Sequence, residues 1–187
     1  GLAAGLLTAQ LALGASNVTV AVNATLDSLD PYNTNSTLSQ AVGKSYYEGL
    51  FTFDKELKVQ PLLAIGYEVS DDGLTYTFTL RDGVTFHSGR ALTSEDVKAS
   101  FERVVAEDSQ AARKSSYDVV ESVTTPDEST VEFQLGSRSI SFPYLMSYVW
   151  IVNPELGDPM TETDGTGPYT LSEWRRGSTL SLERFDD

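Results

Sequence analysis

Cysteine is missing from the 187 residues. Its absence excludes disulfides, thiolate metal sites, cysteine nucleophiles and a lipid-modified N-terminal cysteine, and it leaves either side of a membrane open. Histidine occurs once, as His87. A Ser-His-Asp arrangement has to use it, yet His87 lies in Phe86-His87-Ser88-Gly89, a turn before a capped helix, without a G-x-S-x-G elbow. A structural or surface role is the better reading. A metal site would have no second His and no Cys, and carboxylates alone favour hard cations. Neither a metal nor a cofactor is expected. Positive charge is scarce as well: 13 Lys and Arg stand against 27 Asp and Glu, for a net charge of -14. A surface this acidic, with no Lys/Arg cluster to offset it, repels phosphate backbones and anionic lipid, so nucleic acid is excluded as a partner. Two sources for the acidity stay open, an ordinary secreted protein or a high-salt habitat.

Long apolar runs are also lacking. Gly1 to Ala15 (GLAAGLLTAQLALGA) is uncharged but shorter than the roughly 20 residues that span a bilayer. Residues 1–15 look like the h-region of a secretory signal with Ala12-Leu13-Gly14 as a small-x-small cleavage site, although an initiator Met and a basic n-region are absent. They are expected to be the remainder of an export signal, with a buried or amphipathic N-terminal helix as the alternative. The one Gly-rich run, Gly165-Thr166-Gly167-Pro168, lacks G-x-G-x-x-G spacing, and its Pro removes an N–H that a phosphate cradle would use. Asp71-Asp72 and Glu107-Asp108 are adjacent carboxylates in turn-like settings, where such pairs solvate loops more often than they form acid/base dyads. An enzyme is not expected.

What is present is globular material: 40% hydrophobic residues, with nine Tyr and eight Phe. Val18, Val20 and Val22 alternate with Thr19 and Ala21 as a half-buried strand does. The polar loop that follows, Asn23 to Pro31, lies where α/β proteins often hold a ligand; from the residues alone, a plain connector is the simpler reading. Ser36 fits the N-cap of a helix running to about Gly49, with Leu38, Val42 and Tyr46 on one face. A short strand at Phe51 to Phe53 comes next. Tyr67–Val69 and Tyr76–Leu80 alternate around Asp71-Asp72-Gly73, a strong hairpin signal, and a second Asp-Gly bends the chain at Asp82-Gly83. Thr93 to Asp96 has the form of a capping box for a helix that buries Val97, Phe101, Val104 and Val105. Strands are expected at 117–123 and 130–135 around a turn at Pro126, then a short helical piece feeding a strand at Val149 to Val152, then a hairpin of 169–174 with 179–184. Tyr144, Tyr148 and Trp150, between Pro143 and Pro154, either line an apolar pocket or fill the core.

Taken together, YEGLFTFD at 47–54, the Leu-Lys-Val-Gln-Pro-Leu-Leu-Ala run ending at Ala64, YEVSDDGLTYTFTLRDGVTFHSGRALTSEDV at 67–97, GTGPY at 165–169 and LSLERFDD at 180–187 resemble a family. It is the peptide/nickel class of extracellular solute-binding proteins, family 5, which feed ABC importers. Order and spacing agree from Val18 onward. The resemblance implies an α/β (α+β) chain with a periplasmic-binding-protein-like type II fold. It implies the first lobe with its inserted subdomain, the second lobe being absent from this chain. Residues 16–35 and 164–187 would belong to the central sheet of lobe I, and 36–163 to the inserted α+β subdomain. Carried over to this sequence, the cleft-facing loop is Thr25, Leu26, Asp27 and Ser28, and the aromatic segment contributes Tyr148 and Trp150. The stretch Tyr67–Val97 is scaffold. The implied partners are a small-molecule or peptide ligand and ABC permease subunits, for a monomeric protein in the periplasm or outside the cell. A di- or oligopeptide is the expected solute; a nickel chelate, a sugar, or a sensory module using only the first lobe are the alternatives.

Overall fold

The computed structural model describes residues 18–33 and 36–186. The expected signal remnant at 1–15 lies outside the described residues. Helix α1 (Thr37–Gly43) starts as expected, with the Ser36 side chain accepting from the Ser39 N–H at 3.4 Å. It stops at Gly43, six residues before the expected end at Gly49. The reason is tertiary. The Trp150 ring occupies the place of a Gly43 side chain, 2.6 Å from where a Cβ would stand. Gly49 is instead drawn into an antiparallel bridge with Trp150. Strands β1 (Phe51–Phe53) and β2 (Val59–Pro61) form a hairpin. Its turn is held by Asp54, whose carboxylate accepts from the Glu56 and Lys58 N–H groups at 2.9 Å each.

The main sheet holds four antiparallel strands. The hairpin of β3 (Ala64–Val69) and β4 (Thr75–Leu80) turns through Gly73 at φ 72, the left-handed region that Asp-Gly turns require. Helix α2 (Ser94–Val105) follows, its capping box closed by Asp96, which accepts from the Thr93 N–H at 2.8 Å. Strands β5 (Val120–Asp127) and β6 (Thr130–Leu135) complete the order β3-β4-β6-β5. Strand β5 runs through Pro126, so the turn expected there falls two residues later. A proline is tolerated because β5 is an edge strand, with one side free of ladder bonds, and because the register slips between Thr124 and Asp127.

One sheet face is the core. Tyr76, Phe78 and Leu80 of β4 and Val131, Phe133 and Leu135 of β6 are buried, and Val97, Phe101 and Val104 of α2 lie over them. The alternate face of β4 carries Thr75 and Thr77, which donate to Gln134 and Glu132 across the strands at 2.8 and 3.3 Å. Helix α3 (Phe142–Leu145) inserts Phe142 between Tyr76 and Phe133, with ring centroids 5.2 and 5.3 Å away, and continues as a 3-10 turn to Tyr148. Residues 149–152 are buried, but they make one bridge rather than the expected strand. Strands β7 (Tyr169–Arg175) and β8 (Thr179–Arg184) form a separate hairpin turning at Gly177, φ 71.

The strand expected at Val18 to Val22 is not formed, and its valines are exposed at 85, 76 and 55%. No described strand lies beside it, and an unpaired strand leaves its backbone groups to water and its valines without a surface to cover. No described helix is long and apolar enough to cross a membrane.

Candidate ligand-binding surface

The loop before α1 is wound into a clasp by its own short polar side chains. Ser28 Oγ accepts from the Asp30 N–H at 3.0 Å, and Asp30 Oδ1 accepts from the Tyr32 N–H at 2.9 Å, two turns of the kind Ser and Asp favour. The other Asp30 oxygen takes the Arg103 guanidinium of α2 at 2.8 Å, and that guanidinium also lies 5.4 Å from the Tyr32 ring centre. The Tyr32 hydroxyl donates to the Trp150 carbonyl. Burial raises the Tyr32 hydroxyl well above its ordinary value, against the opposing pull of Arg103, so it remains a neutral donor. The Ser28 hydroxyl reaches Met160 Sδ at 3.2 Å, and the Leu29 N–H reaches the Met160 carbonyl at 3.3 Å.

Three segments distant in sequence are thereby joined. Of the six expected site residues, Leu26, Ser28 and Trp150 are buried in or against this clasp, whereas Thr25 and Asp27 face solvent on its rim. From Ser28 to Asp30 the loop is continuously buried, with Leu29 at its centre. Tyr148 belongs elsewhere. Helix α3 and its 3-10 extension set Tyr144 and Tyr148 one turn apart, with hydroxyls 2.9 Å from each other. Both rings pack on Phe53, at 5.1 and 5.6 Å. The Arg113 guanidinium lies 4.0 Å from the centre of the Tyr148 ring. Asp30, Tyr32, Arg103 and Arg113 were not singled out from the sequence. The Ser-x-Asp-x-Tyr spacing of 28, 30 and 32 is a usable signal for the first two; nothing local marks either arginine.

The return segment has a different role. A Cβ on Gly165 would stand 2.0 Å from the Tyr46 carbonyl oxygen, and one on Gly167 would stand 2.7 Å from that of Ser45. The glycines admit backbone-to-backbone contact, and Gly167 and Tyr169 donate to Tyr46 and Ser45 at 3.1 and 3.0 Å. His87 pins the same run, with Nε2 2.8 Å from the Gly167 carbonyl and its N–H donating to Gly165 at 2.9 Å. His87 thus ties the turn before α2 to the return segment. Beside this run opens a cavity of about 420 Å³ lined by Glu48, Arg81, Thr166 and Phe185 among others. Burial raises the Glu48 carboxyl above its ordinary value, opposed by the hydrogen bond from Thr166 at 2.9 Å and by Arg81.

The family model for bacterial extracellular solute-binding proteins, family 5 middle part, matches residues 58–187. The chain belongs to that family. The glutathione-binding protein GsiB of Salmonella typhi is 39% identical over 181 residues, a match covering 93% of this chain and 35% of that protein. The chain thus spans about a third of the length of the curated relatives it matches. Among solved structures, the binding protein AgaA from A. tumefaciens R10, in complex with agropinic acid, superposes with a TM-score of 0.79 at 31% identity. That superposition covers 86% of this chain and 34% of AgaA. Haemophilus influenzae OppA, in complex with the peptide RPPGFSPFR, gives 0.78 at 25% identity over 86% of this chain and 36% of its own. The family-5 fold accounts for the mixed sheet and helices described above, and none of these matches is named as an enzyme.

Proposed function

We propose that this chain is the first-lobe part of the substrate-binding component of an ABC importer, which captures a small extracellular solute and delivers it to a membrane permease. The observation that carries this reading is the 39% identity to a glutathione-binding protein across 93% of the chain. A di- or oligopeptide is the solute class; glutathione is itself a tripeptide. In the full-length protein, 16–35 and 164–187 would join the lobe I sheet, whose other strands would supply the partner that Val18 to Val22 lacks among the described residues, and 36–163 would be its inserted subdomain. A second lobe would close over the loop and the aromatic segment, and ligand would shift the hinge by binding the closed state more tightly. At the site, Thr25 and Asp27 offer side chains, Leu26 and Ser28 offer backbone, Tyr148 offers its ring, and Trp150 forms the floor that the clasp holds in register. The protein works as a monomer in the periplasm or at the cell exterior.

Isothermal titration of the full-length protein carrying this chain tests the reading, with reduced glutathione, trialanine, a dipeptide set and nickel–histidine as ligands. Binding of at least one peptide is expected. Binding of nickel–histidine alone would move the protein to the nickel branch of the family, and heat from none of these ligands would end the peptide reading.

A further inference from the structure

The chain holds two sulfur atoms, the thioethers of Met146 and Met160, and no thiol. Their settings are opposite. Met146 is sealed in the core at 0% exposure, whereas Met160 is half-buried. Met160 also departs from the usual habit of a thioether, which is to pack as an adaptable apolar filler. Its sulfur accepts two hydrogen bonds, from the Ser28 hydroxyl and from the Asn33 amide, each at 3.2 Å. Its carbonyl accepts from the Leu29 N–H at 3.3 Å, and its own N–H donates to the Asp158 carboxylate at 3.0 Å. Ser28 and Asn33 flank the turns of the clasp, so one sulfur ties both ends of that loop to the segment carrying Met160.

The two donors meet the two lone pairs of the sulfur. An oxidant that adds oxygen there has to displace one of them. Hydrogen peroxide transfers one oxygen as its O–O bond breaks; an S–O bond forms, the sulfur gives up two electrons, and the peroxide leaves as water. The product is methionine sulfoxide, polar and chiral, which reductases convert back. Its oxygen does not fit between the partners, because 3.2 Å is shorter than an S–O bond and a hydrogen bond of about 2.7 Å laid end to end. Either Ser28 or Asn33 must withdraw, and the loop moves with it. Ser28 is buried, so its withdrawal leaves a hydroxyl proton without an acceptor.

We infer that Met160 is an oxidation-sensitive tether, which a peroxide converts to the sulfoxide, freeing the loop of residues 28–33. A sulfoxide reductase, drawing two electrons from a thiol, removes the oxygen as water and restores the bond. The tether reaches the proposed ligand site because Ser28 belongs to both, and Thr25, Leu26 and Asp27 lead directly into it. That effect on binding rests on the receptor reading above; the release of the loop does not.

The test treats the full-length protein and its Met160→Leu variant with graded hydrogen peroxide, then maps oxygen uptake by peptide mass spectrometry. Met160 is expected to gain oxygen about tenfold or more faster than Met146, because reaction follows exposure. Once Met160 is oxidised, the melting temperature is expected to fall by about 2 °C or more and amide exchange to quicken over residues 28–33. Methionine sulfoxide reductases for both epimers, with dithiothreitol, are expected to reverse both changes, and Met160→Leu is expected to show neither. Titration with trialanine and reduced glutathione before and after treatment is expected to show binding weakened about threefold or more. Oxidation of Met146 at the rate of Met160, or oxidised Met160 with melting and exchange unaltered, overturns the inference. So do equal losses in the wild type and Met160→Leu. Affinity that stays constant while the loop loosens removes the link to the ligand site. Protein that binds neither peptide ends the peptide reading, and the tether is then decided by melting and exchange.

Discussion

Arg103 and Arg113 each lie over a tyrosine ring, 5.4 Å from the centre of Tyr32 and 4.0 Å from that of Tyr148. Only Arg103 also holds a carboxylate, Asp30, at 2.8 Å, with side-chain exposures of 35 and 8% for the two partners. The first pair is therefore closed. Its charges neutralise each other, its ring is buried, and its hydroxyl is spent on the Trp150 carbonyl. The second pair is open: among the described residues Arg113 forms no salt bridge, and the half-buried Tyr148 shares its hydroxyl with the exposed Tyr144. The same two residue types thus build a buried clasp where a carboxylate completes them and an exposed ring contact where none does.

The comparison can be broken by mutation, with the buried seam at Gly165 setting the scale. Gly165→Ala places a methyl 2.0 Å from the Tyr46 carbonyl oxygen, so backbone must move, and a loss of about 3 kcal/mol or more is expected from urea denaturation. Asp30→Ala comes next. It strands Arg103 and leaves the Tyr32 N–H without its acceptor. Removing one partner of a buried pair costs about 3–5 kcal/mol, and the partial exposure of Arg103 brings the expected loss to about 2–4 kcal/mol. Arg113→Gln, measured in the same titration, is expected to change stability by no more than about 0.5 kcal/mol. Equal losses for Asp30→Ala and Arg113→Gln would erase the distinction between closed and open pairs.

Glu48 is the intermediate case, half-buried near Arg81 yet not bridged to it. Burial raises its carboxyl in the folded state, so folding favours the protonated form. The stabilising contribution is complete below the unfolded value of about 4.3 and is lost as pH rises through the raised folded value. Glu48→Gln keeps an acceptor for Thr166 and removes the titration. Its melting temperature relative to the wild type is therefore expected to climb as pH rises above about 4.3, by a few °C at most. A difference that does not vary with pH would show that the carboxyl carries no such penalty.

Much of the scaffold was legible in residue order because its signals are local. Gly73 and Gly83 mark their turns through the freedom of glycine at positive φ, and Thr93 with Asp96 marks a helix start through bonds that span three residues. Alternation along Tyr76, Phe78 and Leu80 identifies the buried face of β4, since a strand has only two faces. The candidate site was half legible. The loop 25–28 and the residues Tyr148 and Trp150 were picked out, but the structure places them in two separate clusters. Arg103 and Arg113 stood on no motif, because a cation's partner is decided by what lies across space from it.

The sequence by itself determined that this is an acidic α+β chain without the residues for thiol chemistry or a histidine-based metal site. It also determined its turns, its capped helix and its family, since each depends on composition or on neighbours a few residues apart. Tertiary structure decided that the chain beyond Gly43 leaves the helix, because the Ser45 and Tyr46 carbonyls accept from Tyr169 and Gly167 and Gly49 bridges Trp150. It decided that Val18 to Val22 form no strand, because a strand needs a partner. It also decided which arginine is closed by a carboxylate and which is left open, because that depends on distances between segments some 70 residues apart for Asp30 and Arg103, which local patterning does not record.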